Sequence, residues 1–168
     1  KNAIAGDASV MVYGGTVYSS LGGHVEAANI YVNAQADNRV LVSALVVSGG
    51  QNAVGAAAAV LKFKSDTEAY LATGAKLITT GKVEVIANSI EELIVTAAGV
   101  AGGKLAISFG VAIVLTEVIV KAFTMSNVEI GNADTKPSVV KINAFDNYAL
   151  VGAAVPIAIA GTVSVAFG

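Results

Sequence analysis

The chain has 168 residues, of which 55% are hydrophobic and only 13% charged, and its formal net charge is −2. Soluble domains average about a quarter charged residues. A composition this apolar excludes disorder, and a single arginine, Arg39, leaves no basic footprint for nucleic acid. No cysteine is present, which removes disulfide frameworks and thiolate metal sites.

Taken in chain order, the segments repeat. The opening Asn2-Ala3-Ile4 and Val10 correspond to Asn52-Ala53-Val54 and Val60. Residues 30–34 (IYVNA) alternate apolar and polar side chains, and the same pattern returns about 53 residues later at 83–87 (VEVIA) and about 57 residues after that at 140–144 (VKINA). A period of two describes a strand with one dry and one wet face. It assigns Ile30, Val32, Ala34, Val83, Val85, Ala87, Val140, Ile142 and Ala144 to the interior.

Each alternating strand is followed by a polar cluster: Asp37-Asn38-Arg39, residues 89–92 (SIEE) and Asp146-Asn147. These clusters are expected to be corners. Next come the nearly continuous apolar runs 40–47, 93–100 and 148–155, which end at Gly49-Gly50, Gly102-Gly103 and Ala160-Gly161. A third class of strand, 53–63, 105–115 and 163–167, is apolar but rich in small residues. Its first copy competes with an Ala-rich helix over 51–63, since Ala is the best helix former. Val54, Val60 and the β-rich counterpart 105–115 favour a strand. Gly74, Gly81 and Gly131-Asn132 mark later corners, because Gly and Asn accept the left-handed backbone of tight turns.

Short strands with turns every 8–12 residues predict an all-β chain, and the repeat narrows this to a parallel β-helix solenoid. Three units of 53–58 residues are expected, each making several coils of about 19 residues. Residues 1–168 form one segment. Its apolar run to the last residue, with no polar cap, points to a slice of a longer repeat protein. Residues 93–120 carry only Lys104 and Glu117 as charges, but Lys104 cuts the run to lengths of about 11 and 12, against the ~20 residues a spanning helix needs.

Little in the chain looks like chemistry. His24 follows Gly22-Gly23 in a turn-like stretch with only Glu26 near it, which reads as a surface histidine. The carboxylates are dispersed at turns and on outer faces. Glu91-Glu92 and Asp66/Glu68 are the one arrangement reminiscent of a glycan-cleaving pair, and no companion cluster of Arg or Lys accompanies them. No Gly/Asp-rich calcium nonapeptide and no phosphate loop is present. No catalytic, cofactor or metal residues are therefore assigned, and the chain is read as non-enzymatic. Runs that are apolar on both faces are the unusual feature, and Leu105, Ile107, Phe109, Val111, Ile113 and Leu115 are assigned as a candidate interaction surface.

The succession from VEVIANSIEELIVTAAGV through GGKLAISFGVAIVLTEVIVKAFT, followed by VKINAFDNYALVGAAVPIAIAGTVSVAFG, resembles the repeat region of large filamentous-haemagglutinin-type exoproteins. It is most similar to the leukotoxin-like filamentous adhesins of fusobacteria. The resemblance implies a right-handed parallel β-helix in a secreted or outer-membrane-associated virulence protein. It also implies adhesion to a host-cell or bacterial surface receptor, and no cofactor. The expectation is a structural, adhesive rod with possible lateral self-association and no nucleic-acid partner. Two alternatives stay open: a membrane-active, pore-forming or leukotoxic segment, and a glycan-binding or glycan-cleaving β-helix.

Overall fold

The computed structural model describes all 168 residues and consists of strands and turns only, with no helix. Eight strands follow the chain: β1 (Asn2–Leu21), β2 (His24–Glu26), β3 (Ile30–Gly49), β4 (Asn52–Leu71), β5 (Lys76–Ile78), β6 (Lys82–Thr124), β7 (Glu129–Ile130) and β8 (Val139–Phe167). Every ladder between them is parallel. The 51–63 stretch lies in β4, so the strand reading holds over the helix.

The ladders sort the strands into two long walls and one short one. The first wall stacks β3, residues 82–103 of β6 and residues 139–160 of β8. The second stacks β1, β4, residues 105–124 of β6 and residues 163–167 of β8. The narrow third wall stacks β2, β5 and β7. Between walls the chain turns at Gly49-Gly50, at Gly103, where the β6 ladder slips register, and near Gly74 and Gly131, whose φ values of 73° and 82° are left-handed.

Register corrects the coil count. Ile30 lies beside Val83 and Val83 beside Val140, so each residue neighbours its counterpart a whole repeat later. Side-chain and turn hydrogen bonds carry the same offsets of 50, 53 and 57 residues. One repeat is one layer; several coils of about 19 residues do not form.

The physical reason is that the expected corners at Asp37–Arg39, 89–92 and 146–147 are interior to strands. In β3 the burial alternation runs without a break from Ile30 to Gly49, and Asn38 keeps the inward phase of Ala36 and Val40. The polar clusters alternate like the strands around them, with Asn38, Ser89 and Glu91 pointing in and Asp37, Arg39 and Glu92 pointing out, and are not turns.

The core lies between the long walls in two large clusters, with a small third one of Ala53, Ala101 and Ala106. One joins Val40, Val42, Ala44 and Val46 of the first wall, with Leu93, Val95 and Ala97, to Ala57, Ala59, Leu61 and Phe63 of the second. The other joins Ile30, Val32, Ala34, Val83, Val85 and Ala87 to Ala69, Leu71, Ala75 and Leu77 near the short wall. Fully burying one Leu, Val or Phe stabilises by about 1.5–3 kcal/mol, and stacking in register repeats that gain at every layer. The interior assignment is met for Ile30, Val32, Ala34, Val83, Val85 and Ala87. Val140, Ile142 and Ala144 share the inward phase but stay exposed, because β8 is paired on one side only.

At the Gly-rich end the walls close on each other. The Ser108 hydroxyl donates to the Gly99 carbonyl at 2.6 Å, and a methyl group on Gly99 would sit 2.5 Å from the Phe109 carbonyl oxygen. Only glycine permits that backbone approach. The cross-section is thin there and thicker around Phe63.

Candidate interaction surface

Strand alternation decides which side chains of β6 face out. Ala106 and Ser108 are fully buried, and Gly110 shares their inward phase. The odd-numbered set therefore points outward: Leu105, Phe109, Val111, Ile113 and Leu115 are exposed, and Ile107 is half-buried. All six assigned surface residues thus lie on the outer face of the second wall.

Register extends that face across the layers. Ile107 lies beside Val54, which lies beside Ile4, and on the other side beside Val165. Phe109 has Ala56, Gly6 and Phe167 in its row, and Ile113 has Val60 and Val10. Phe109 and Phe167 stack with ring centroids 5.3 Å apart and planes within 11°. No outward residue of this face is charged until Lys62. At the lengths and spacings of parallel strands it covers roughly 600 Å², at the upper end of what monomers expose as one apolar patch.

Relief on this face is uneven. Gly6, Ala8, Ala56 and Ala58, with Asp7 and Ala57 between them, leave a hollow of about 400 Å³ against Phe109 and Val111. Behind it, on the first wall, Leu41, Leu45, Val47, Val151, Val155 and Ile157 are also exposed. The half of each layer nearest the Gly corners is therefore apolar on both outer faces.

The opposite half is charged outside. Lys64 reaches Glu117 at 2.8 Å, Lys121 reaches Glu68 at 2.8 Å, and Arg39 reaches Glu92 at 3.7 Å, each pair bridging successive layers. The hydrogen bonds to Glu117 and Glu68 hold the Lys64 and Lys121 ammonium groups above their ordinary range. Tyr70 stacks on Phe123 at 5.1 Å in the same region.

Between the two core clusters runs a polar row that the sequence reading missed. Tyr13, stacked on Phe63 at 5.0 Å, donates its hydroxyl to Asn38 at 2.6 Å, and the Asn38 amide donates to the Ser65 hydroxyl at 3.3 Å. The Ser89 hydroxyl donates to Glu91. Glu91 is only 1% exposed, although its carboxylate was expected at a turn or on an outer face. Burial pushes its carboxyl above the usual range, and the neighbouring Asp146 carboxyl pushes it the same way, against hydrogen bonds from Ser89 and Ser65. Its Oε2 has no donor. A proton shared with Asp146 would satisfy that oxygen, which is the pairing low dielectric favours. The one available signal was parity, since Asn38, Ser89 and Glu91 keep the inward phase of the strands around them.

Of the other flagged groups, Asp66 and Glu68 share the outward phase of β4 beside Lys64 and Lys121, and the rest are not brought together. Glu91 faces in and Glu92 out, while Glu68 is bound to Lys121 on the outer surface. His24 lies in β2 rather than in a turn; it is exposed and 3.1 Å from Glu26. No group of three His, Cys, Asp or Glu side chains is placed to hold a metal. No helix is long and apolar enough to cross a membrane.

No family model, no curated protein and no solved structure matches the chain.

Proposed function

We propose that the chain is a segment of a right-handed parallel β-helical rod from a secreted or surface-exposed bacterial adhesin or exotoxin, and that it works by contact rather than catalysis. The observation that carries this reading is the apolar outer face of Leu105, Ile107, Phe109, Val111, Ile113 and Leu115, uncharged up to the row of Leu115 and Lys62 and repeated layer upon layer. A parallel ladder makes a stiff support, and rows of equivalent side chains offer many weak contacts to a host-cell or bacterial surface receptor. Multivalency then raises avidity without a single strong site.

The test is cell binding by the Val111→Lys/Ile113→Lys variant. Both residues point outward, so the strand content by circular dichroism should stay at the wild-type value while binding falls at least ten-fold. Unchanged binding would remove this surface from the account.

A membrane-active role draws on the same half of the molecule. There, about ten residues per strand are apolar on both outer faces, close to the 9–11 of a membrane-crossing strand. The unpaired edges of β1, β3 and β8 weigh against it, because unsatisfied backbone groups cost several kcal/mol each in hydrocarbon. Dye release from anionic liposomes by the chain alone would favour the membrane role over the rod.

A further inference from the structure

The outer face of the second wall is built of two unlike halves, and we propose that it pairs with the same face of a second copy of this chain. This rests on the contact role just given to the face and names a second copy as an occupant that competes with the receptor for it. Along the stacking direction the strand order is β1, β4, β6, β8. The first two strands contribute Gly6, Ala8, Ala56 and Ala58, which form the hollow. The last two contribute Phe109, Val111 and Phe167, which stand beside it.

A twofold axis lying in the face, parallel to the strands and midway between β4 and β6, exchanges these halves. It brings β4 of one copy over β6 of the other, and β1 over β8. Phe109 then meets the partner's Ala56, Phe167 meets the partner's Gly6, and Val111 meets the partner's Ala58. Ile4, Val54 and Val60 meet Val165, Ile107 and Ile113 of the second copy. The contact is isologous and closed, so it ends at a dimer.

Size and charge agree. A cavity of about 150 Å³ holds a benzene ring, so the 400 Å³ hollow has room for the Phe109 and Phe167 rings together. Two faces of roughly 600 Å² bury about 1,200 Å², the lower bound of stable protein interfaces. Face-to-face sheets pack about 10 Å apart with strands within about 30°, and an axis parallel to the strands keeps the two sets of strands aligned. The one charge at the contact is Asp7, which lines the hollow and has the phase opposite to Gly6 and Ala8, its Oδ2 accepting from the Leu45 N–H at 3.0 Å, and no strand edge has to leave water.

Sedimentation equilibrium on the whole chain tests the pairing, with circular dichroism and melting as controls on folding. Wild type is expected to be dimeric. Phe109→Ala removes the knob and Ala56→Phe fills the hollow, and each should weaken the dimer at least ten-fold. The double variant Ala56→Phe/Phe109→Ala exchanges knob and hollow and should recover affinity to within about three-fold of wild type. A monomeric wild type, singles without effect, or a double variant that stays as weak as the singles overturns the proposal. So does association abolished by Ile142→Lys/Leu150→Lys, which would mean end-to-end stacking on the open layer of β8. If the chain proves monomeric while Val111→Lys/Ile113→Lys still loses cell binding, the pairing fails and the contact role stands.

Discussion

The two halves of each layer share one backbone and differ on the outside. Toward the Gly corners, residues 40–49 and 93–103 of the first wall and 52–61 and 105–115 of the second carry no charge, and Lys104 sits at the corner between them. Toward the short wall, the same strands carry Arg39, Glu92, Lys64, Glu117, Glu68 and Lys121 in interlayer pairs. Inside, both halves are equally dry, with side chains such as Phe63, Leu93, Leu71 and Val83 almost fully buried. Ladder and core hold the fold throughout, and the outward positions are left to set what each half meets. The charged half is suited to water, and the apolar half is suited to another surface.

That division predicts where substitutions act. The largest loss of stability belongs to the shared core. Phe63→Ala empties a site whose ring is buried and stacked on Tyr13, and it should cost about 3–5 kcal/mol by denaturant unfolding. A loss under about 1 kcal/mol would mean that the walls do not enclose Phe63.

Next is the polar row that separates the two core clusters. The folded-state carboxyl of Glu91 lies above its ordinary range, first through burial and then through Asp146. Below the unfolded value of about 4.3 the carboxyl is neutral in both states and costs nothing. As pH rises through the folded value, a buried charge forms and stability is lost. Glu91→Gln should therefore raise stability at pH 7–8, by on the order of 1 kcal/mol, and flatten that dependence. A variant as pH-sensitive as wild type would place the source elsewhere.

The smallest effect belongs to the charged exterior. Arg39 is exposed and reaches Asp37 and Glu92 at 3.6 and 3.7 Å. Arg39→Ala should cost less than about 1 kcal/mol, and salt should erase the difference. A larger or salt-resistant loss, read by thermal melting, would make the charged half structural rather than merely wet.

Much of this was legible beforehand, for definite reasons. The pentapeptide at 83–87 fixed the neighbours of its strand, since Val83 pairs with Ile30 and Val140 as the repeat required. Gly74 and Gly131 marked real corners because their backbones are left-handed, and Gly49-Gly50 because a side chain on Gly50 would press on the Lys1 carbonyl. Leu105 to Leu115 stood out as a run apolar on both faces, and strand alternation puts those six residues outside, with Ala106, Ser108 and Gly110 inside. The layer count was misjudged because Asp37-Asn38-Arg39 has the composition of a turn. Only a partner across the interior, Tyr13 and Ser65 for Asn38, reveals it as strand, and such partners are invisible in one dimension.

A cysteine pair checks the register. The chain has no cysteine of its own, and outward-facing Ser43 and Thr96 lie side by side. Parallel neighbours about 4.8 Å apart fall within the Cα range of a disulfide. Ser43→Cys/Thr96→Cys should therefore oxidise quantitatively without loss of strand signal. Persistent free thiols would contradict one layer per repeat.

The comparison between the halves is tested most directly by placing the same lysine pair in each and measuring binding to cells. Val111→Lys/Ile113→Lys charges the apolar half, and Tyr31→Lys/Ile86→Lys charges an outward site near the short wall. The account predicts at least a ten-fold loss of binding for the first variant and wild-type binding for the second. Equal losses, or a loss confined to the second, would contradict it.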